Sequence, residues 1–215
     1  MRKKIVILGA GGHAKVIAEF IDKEKYDLIG FLDKDESCLG KLINGIPILG
    51  ADSNPMKWKE MGVCGCVIGL GHVGDCKVRN RVYHNYLQAG YEMLTVVHPN
   101  SIVSPSAVLH NGVVVMPGAV INANAEIGEN SIINTNAVVE HDSTIESGVH
   151  IAPGSTVSGG SYVGSNVLIG AGSTVIQSVR IGEETIIGAG ATVINDIPAN
   201  VLAVGCPAKV IRKGK

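Results

Sequence analysis

Residues 127–162, broken every six positions, read IGENSI INTNAV VEHDST IESGVH IAPGST VSGGSY. Each block opens on Ile or Val, and the column extends both ways. Every sixth residue from Val97 to Val193 is Val, Ile or Leu, seventeen in succession. These three types make up 63 of the 215 residues, so independent placement gives such a run with a probability of roughly 10⁻⁹. Four residues after each of the first sixteen stands Ala, Ser or Thr in twelve cases and Val in four. Helices repeat at about 3.6 residues and strands at two, so a period of six suits strands. One branched aliphatic and one small residue per hexapeptide describe a parallel β-helix with flat sides and tight corners. Three sides need roughly 18 residues per coil, so the run supplies five to six coils. Clusters such as Gly128-Glu129-Asn130 and Gly164-Ser165-Asn166 suit the corners, because Gly and Asn tolerate positive φ.

The rest of the composition follows from this prism. Of eight aromatic residues, seven lie at or before Tyr91 and only Tyr162 follows; a narrow aliphatic interior has no room for rings. Charge is also divided. Residues 1–90 hold 13 Lys/Arg and 10 Asp/Glu, whereas residues 91–215 hold 5 and 9. A total of 18 basic and 19 acidic residues excludes a general nucleic-acid-binding surface. No apolar run reaches the length of a membrane span, and Ile5–Leu8 is too short for a signal peptide, so a cytoplasmic protein without a membrane partner is expected. Cys38, Cys64, Cys66, Cys76 and Cys206 are odd in number and lack zinc spacing, which fits reduced thiols.

Before the repeat, strand and helix alternate. Ile5–Leu8 reads as a buried strand, followed by Gly9-Ala10-Gly11-Gly12-His13-Ala14 and an amphipathic segment to about Asp22. Leu28–Leu32 is a second strand ending at Asp33, Cys66–Leu70 a third, and a helix runs from about Asp75 to Ala89. This βαβ pattern predicts a Rossmann-like α/β half-domain over residues 1–92, with the β-helix occupying 93–215. The glycine loop fits G-x-G-x-x-G/A, with Asp33 19 residues beyond Ala14. Backbone N–H groups at a helix start approach phosphate, so a nucleotide diphosphate at the loop is expected, with Asp33 at the ribose or base. The same loop also serves as a tight turn packing helix on strand. A nicotinamide dinucleotide needs two such halves, and this segment supplies one.

Among seven histidines, Glu140-His141-Asp142 stands out. A His beside carboxylates is held in one tautomer with raised basicity, which suits a general base; the alternative is a solvated charge group on an outer corner. His150 lies nine residues on, half a coil away, so the two imidazoles face different sides and meet a common substrate only across a subunit interface. Some hexapeptide proteins are zinc enzymes with three convergent histidines. Here His110 lies 31 residues before His141, not a multiple of the coil, and no metal site is expected. Arg180 is the sole basic residue between 97 and 196; Lys209, Arg212, Lys213 and Lys215 then form a cationic end suited to a phosphate-bearing ligand.

Taken in order, Gly9-Ala-Gly-Gly-His13, His98-Pro99, Asn134-Thr135, Glu140-His141-Asp142, His150-Ile-Ala-Pro-Gly and Gly205-Cys-Pro-Ala-Lys209 resemble the PglD/NeuD-type sugar acetyltransferases of bacterial surface-glycan synthesis. The resemblance spans essentially the whole chain. It implies a left-handed β-helix after the Rossmann-like domain, a homotrimer, and acetyl-CoA as acetyl donor. The acceptor it implies is the amino group of a nucleotide-linked 4-amino sugar, with UDP the expected nucleotide, or in some members a sugar hydroxyl. It assigns His141 as general base and Asp142 as the acid orienting it. His150 would contact the acetyl group or thioester, and Gly159, Ala171, Ala189 and Lys209 the coenzyme. Gly11, Gly12 and His13 would bind the diphosphate, and Asp33 with Lys34 the base or ribose. Lys34 stands where the family often has a second acid. Direct transfer in a ternary complex is expected, because no cysteine sits beside a histidine base. An oxidoreductase, a metal hydratase and a non-catalytic nucleotide-sugar-binding protein are the competing classes.

Overall fold

The computed structural model describes residues 2–74 and 76–213. The expected helix start at Asp75 and the terminal Lys215 lie outside them, as does the side chain of Lys213. The chain divides into two compact units, Met1–Val96 and Val97–Lys215.

In the first unit, β1 (Lys3–Leu8), α1 (Gly12–Glu19) and β2 (Tyr26–Leu32) make one βαβ turn. A hairpin of β3 (Leu42–Ile43) and β4 (Ile46–Gly50) follows, then α2 (Pro55–Glu60), β5 (Gly65–Ile68), α3 (Lys77–Gln88) and β6 (Glu92–Met93). The sheet order is β3-β4-β2-β1-β5-β6, parallel throughout except between β3 and β4. Ile5 to Leu8 are fully buried, as a central parallel strand covered on both faces requires. Phe31, Trp58, Tyr83 and Tyr86 fill this core, which is where the early aromatics go. Arg79 is buried with them and donates from Nη1 to the carbonyls of Ile68 (3.0 Å) and Leu70 (2.6 Å), tying α3 to the end of β5.

Two local outcomes differ from the sequence reading. Helix α1 ends at Glu19 rather than near Asp22, because the Asp22 carboxylate accepts the N–H groups of Glu24 and Lys25 and turns the chain. The β3–β4 hairpin was absent from that reading. Its signal was Asn44-Gly45, both at positive φ (50° and 79°), between apolar pairs.

The second unit is a left-handed parallel β-helix. Two-residue strands recur every six residues from Ile102–Val103 to Thr192–Val193 and, with Val96–Val97, Val201–Val204 and Lys209–Lys213, form three sheets of eight, six and five strands. The register is one 18-residue coil throughout: Val103, Ile121, Val139, Val157, Val175 and Val193 form one column. From Ile121 onward the members of that column are fully buried, each contributing about 1.5–3 kcal/mol by transfer from water. The corners obey the same period. Every sixth residue from Gly112 to Gly190 has positive φ, whether Gly, Asn, Asp142, Ser178 or Glu184.

The small-residue column does more than fit. Buried Ser131, Ser143, Ser155, Ser161 and Ser173 donate from Oγ to a carbonyl fifteen residues on, stitching adjacent coils at 2.8–3.1 Å. Ser155→Ala removes the donor to the Gly170 carbonyl and should lower unfolding free energy by about 1 kcal/mol, read by urea denaturation. An unchanged midpoint would show that the hydroxyl ladder is stability-neutral.

Candidate active site

One corner, between the six-stranded and five-stranded sheets, stacks three successive coils. The Asp142 N–H donates to the Ala123 carbonyl and the Gly160 N–H to the His141 carbonyl, both at 2.9 Å. His141 Nδ1 lies 2.7 Å from Asp142 Oδ2, with both side chains well exposed at 63% and 59%. Asn124, one coil back, donates from Nδ2 to the other carboxylate oxygen at 3.2 Å. The bond to His141, then that to Asn124, holds the Asp142 carboxyl below the usual carboxylate range. An ionised carboxylate only accepts, so Nδ1 carries the proton and Nε2 of the neutral ring presents its lone pair. Asp142 reaches this geometry because its backbone sits at φ 57°, a region Asp tolerates.

Gly159, one coil beyond His141, lies directly against the imidazole. A Cβ there would stand 2.7 Å from Nε2 and 2.8 Å from Cε1. The ring therefore rests on bare backbone, with its basic nitrogen above Gly159. Glu140 takes no part: its Oε2 accepts from Asn122 Nδ2 at 2.8 Å, again one coil away. Asn122, Asn124 and the role of Gly159 were missed in the sequence, although stepping 18 residues from Glu140, Asp142 and His141 finds all three.

His150 belongs to the eight-stranded sheet, between Ile132 and Leu168, away from the His141 corner. It is buried, and its Nε2 lies 2.9 Å from Asn134 Nδ2. Asn134 Oδ1 accepts the Thr135 N–H at 2.8 Å, so its amide faces His150 as a donor. Nε2 is then the acceptor and Nδ1 bears the proton. Ala171 and Ala189 are exposed on another corner, linked by the Gly190 N–H to Ala171 carbonyl bond at 2.8 Å. Lys209 and Arg212 are exposed on a closing strand, Lys209–Lys213, antiparallel to Val201–Val204. His110 pairs with Glu126 at 2.8 Å. The histidines of the β-helix thus sit at separate places, and among the described residues no three His, Cys, Asp or Glu side chains converge as a metal set. Cys66 is buried against Met93, and burial pushes its thiol far up.

In the first unit the glycine loop divides into two parts. Gly9 has φ 97°, and a Cβ there would meet Leu70 at 2.6 Å, so packing demands it. Gly11, the N-cap of α1 with φ −82°, and Gly12 have nothing within 4 Å of an added Cβ. Neither strain nor crowding calls for glycine at these two, and the space beside their Cα atoms at the helix start is open. The Asp33 carboxylate braces the loop, accepting the N–H of Ala10 at 2.8 Å and of Asp35 at 3.0 Å. Lys34 is exposed beside it, and His13 follows Gly12 in the first turn of α1.

Residues 4–86 match the PglD N-terminal domain, and residues 124–159 and 160–195 match the bacterial transferase hexapeptide (six repeats). No curated protein matches the sequence. A histidine-to-asparagine variant of perosamine N-acetyltransferase from Caulobacter crescentus, in complex with CoA and GDP-perosamine, superposes with a TM-score of 0.90 at 37% identity, over 99% of this chain and 97% of that one. The acetyltransferase domain of PglB from Neisseria gonorrhoeae FA1090, in complex with acetyl coenzyme A, gives 0.86 at 33% identity, over 98% and 100%. WeeI from Acinetobacter baumannii AYE shares the fold, at 0.82 and 24% identity over 97% and 100%. With more than a third of its residues identical across nearly the full length of such an enzyme, this chain belongs to the PglD-type family of hexapeptide-repeat, CoA-dependent sugar N-acetyltransferases.

Proposed function

We propose that the protein transfers the acetyl group of acetyl-CoA to the amino group of a nucleotide-linked amino sugar, with His141 as general base. The observation that carries this reading is the Asp142-anchored imidazole, whose Nε2 stands exposed above Gly159. The relatives bound to CoA with GDP-perosamine, or to acetyl-CoA, supply the substrate class.

The chemistry is direct. As the sugar nitrogen attacks the thioester carbonyl, Nε2 takes its proton, a carbon–nitrogen bond forms and the carbon–sulfur bond breaks. The imidazolium returns that proton to the departing CoA thiolate. Asp142 stabilises the imidazolium and fixes the tautomer. Gly11, Gly12 and His13 hold the diphosphate through the free space above the α1 start. Ala171, Ala189 and Lys209 contact the coenzyme. We further assign a homotrimer in the bacterial cytoplasm serving glycan synthesis. Its support is the β-branched stripe of Ile102, Val120, Val138, Thr156, Thr174 and Thr192 facing outward on one sheet. Trimer formation also gives His150 a way to share an acetyl group with His141, from which it is separated within one chain.

Incubating the protein with acetyl-CoA and a panel of GDP-, UDP- and dTDP-linked 4-amino sugars, and following thiol release, tests the reading. Turnover with at least one amino sugar is expected; if the 4-hydroxy counterparts are run beside them, transfer only to those would establish O-acetylation instead. Asp142→Asn keeps a residue that tolerates the corner φ, but presents a donor to Nδ1 and favours the wrong tautomer. It should lower kcat about 10–100-fold with the circular dichroism spectrum unchanged. Wild-type turnover would remove Asp142 from the mechanism.

A further inference from the structure

The carboxyl edge of the first unit's sheet carries a second acid beside Asp33. Leu32 pairs with Gly50 just past a register shift, and the Asp33 N–H donates to the Gly50 carbonyl at 2.9 Å. Asp52 follows two residues later, half-buried. Its segment is firmly held. Trp58, 2% exposed, donates from Nε1 to the Ala51 carbonyl at 3.1 Å, and its ring would stand 3.2 Å from a Cβ on Gly50. The Tyr91 hydroxyl donates to the Pro55 carbonyl at 2.6 Å and pins the start of α2.

The Asp52 carboxylate is not a helix cap. Asn54, not Asp52, caps α2 by accepting the Lys57 N–H. Burial, and then the charge of Asp33, keep the Asp52 carboxyl above the usual carboxylate range, opposed first by a hydrogen bond from its own backbone N–H and then by Arg81 and Lys34. A half-buried acid set beside another acid on a rigid segment is the pattern of a ligand-reading group. Asp33 is already engaged, by the Ala10 N–H of the glycine loop and by the Asp35 N–H of its own turn.

Strand order fixes how a nucleotide lies along this edge. Outward from β1 come β2 and then β4. A diphosphate at Gly11–His13 therefore sends its ribose over the end of β2 and its base toward the end of β4, where Asp52 stands. An ionised carboxylate offers two acceptor oxygens and no donor. Guanine presents N1–H and the N2 amino group as adjacent donors, matching both oxygens. Uracil and thymine present one N–H flanked by two carbonyl oxygens, which a carboxylate repels. Resting on the nucleotide-sugar reading above, we propose that Asp52 reads the base and selects guanine, making the acceptor a GDP-linked sugar rather than a UDP-linked one.

Calorimetric titration of the full chain with GDP and with UDP, for wild type and Asp52→Asn, tests this separately from catalysis. GDP is expected to bind at least tenfold tighter than UDP. Asp52→Asn should weaken GDP at least tenfold and change UDP less than twofold, with matching circular dichroism spectra. The same loss for both nucleotides would assign Asp52 to the ribose or to the fold and overturn base reading, as would tighter binding of UDP. An Asp52→Ala variant that discriminates like wild type would overturn it too. Failure of wild type to bind either nucleotide would refute the nucleotide-sugar reading itself. Acetyl transfer to a UDP-linked sugar in preference to its GDP counterpart would leave that reading standing and refute only the selection of guanine.

Discussion

His141→Ala is expected to lower kcat for acetyl transfer by about 10²–10⁴-fold, the span that general-base catalysis contributes. The side chain is exposed at a corner and buries no core surface, so the coil should stay intact. The aliphatic column through Val139 and Val157 is fully buried and is left unaltered by the substitution. Coenzyme binding and oligomeric state should therefore match wild type. The measurement is steady-state thiol release beside a thermal melt. Turnover within threefold of wild type, with an intact melt, would eliminate His141 as the base.

Gly159→Ala makes the second large effect from a single methyl group. Its Cβ would stand 2.7 Å from Nε2, closer than non-bonded carbon and nitrogen allow, so the imidazole must swing away or the coil must shift. A displacement of about 1 Å at a reacting group costs on the order of 10²-fold in rate. The resemblance places Gly159 beside the coenzyme, whereas the geometry places it against the His141 imidazole. These roles separate kinetically. A base-positioning role lowers kcat and leaves KM for acetyl-CoA nearly unchanged; a coenzyme contact raises that KM and spares kcat. The second pattern would overturn the positioning role. Because Gly159 is not one of the positive-φ corner residues, the substitution adds no backbone strain to confuse the result.

The prism was legible because its interior has one rule. A parallel coil with three flat sides repeats its environment every six residues, and the column from Val97 to Val193 records that environment directly. The corners are coded more loosely. Glycine, Asn, Asp, Ser and Glu all occupy positive-φ sites at the same period, because stacking of coils compels the turn even where the residue does not prefer it. The Asn44-Gly45 hairpin was overlooked for a different reason: its strands are short and leave little alternation to read.

The site was half legible. His141 next to Asp142 is a contact between neighbours in sequence, so the pair could be seen without a structure. Asn124 and Gly159 touch the same pair from 18 residues away, and nothing in their local sequence marks them. Asp33 shows the opposite limit. Its position after β2 suggests a ribose or base contact, but only the folded chain shows one carboxylate oxygen accepting the Ala10 N–H of the glycine loop and the other the Asp35 N–H.

The sequence by itself therefore determined the repeat, the order of two kinds of architecture and the adjacency of His141 and Asp142, since each is a periodic or nearest-neighbour property of the chain. Tertiary structure alone decided what lies above and below that pair, which tautomers the hydrogen bonds of His141 and His150 favour, and that Asp33 and Asp52 share one edge of the sheet. Those depend on residues a full coil or a full strand apart, brought together by backbone hydrogen bonding rather than by any preference written at their own positions.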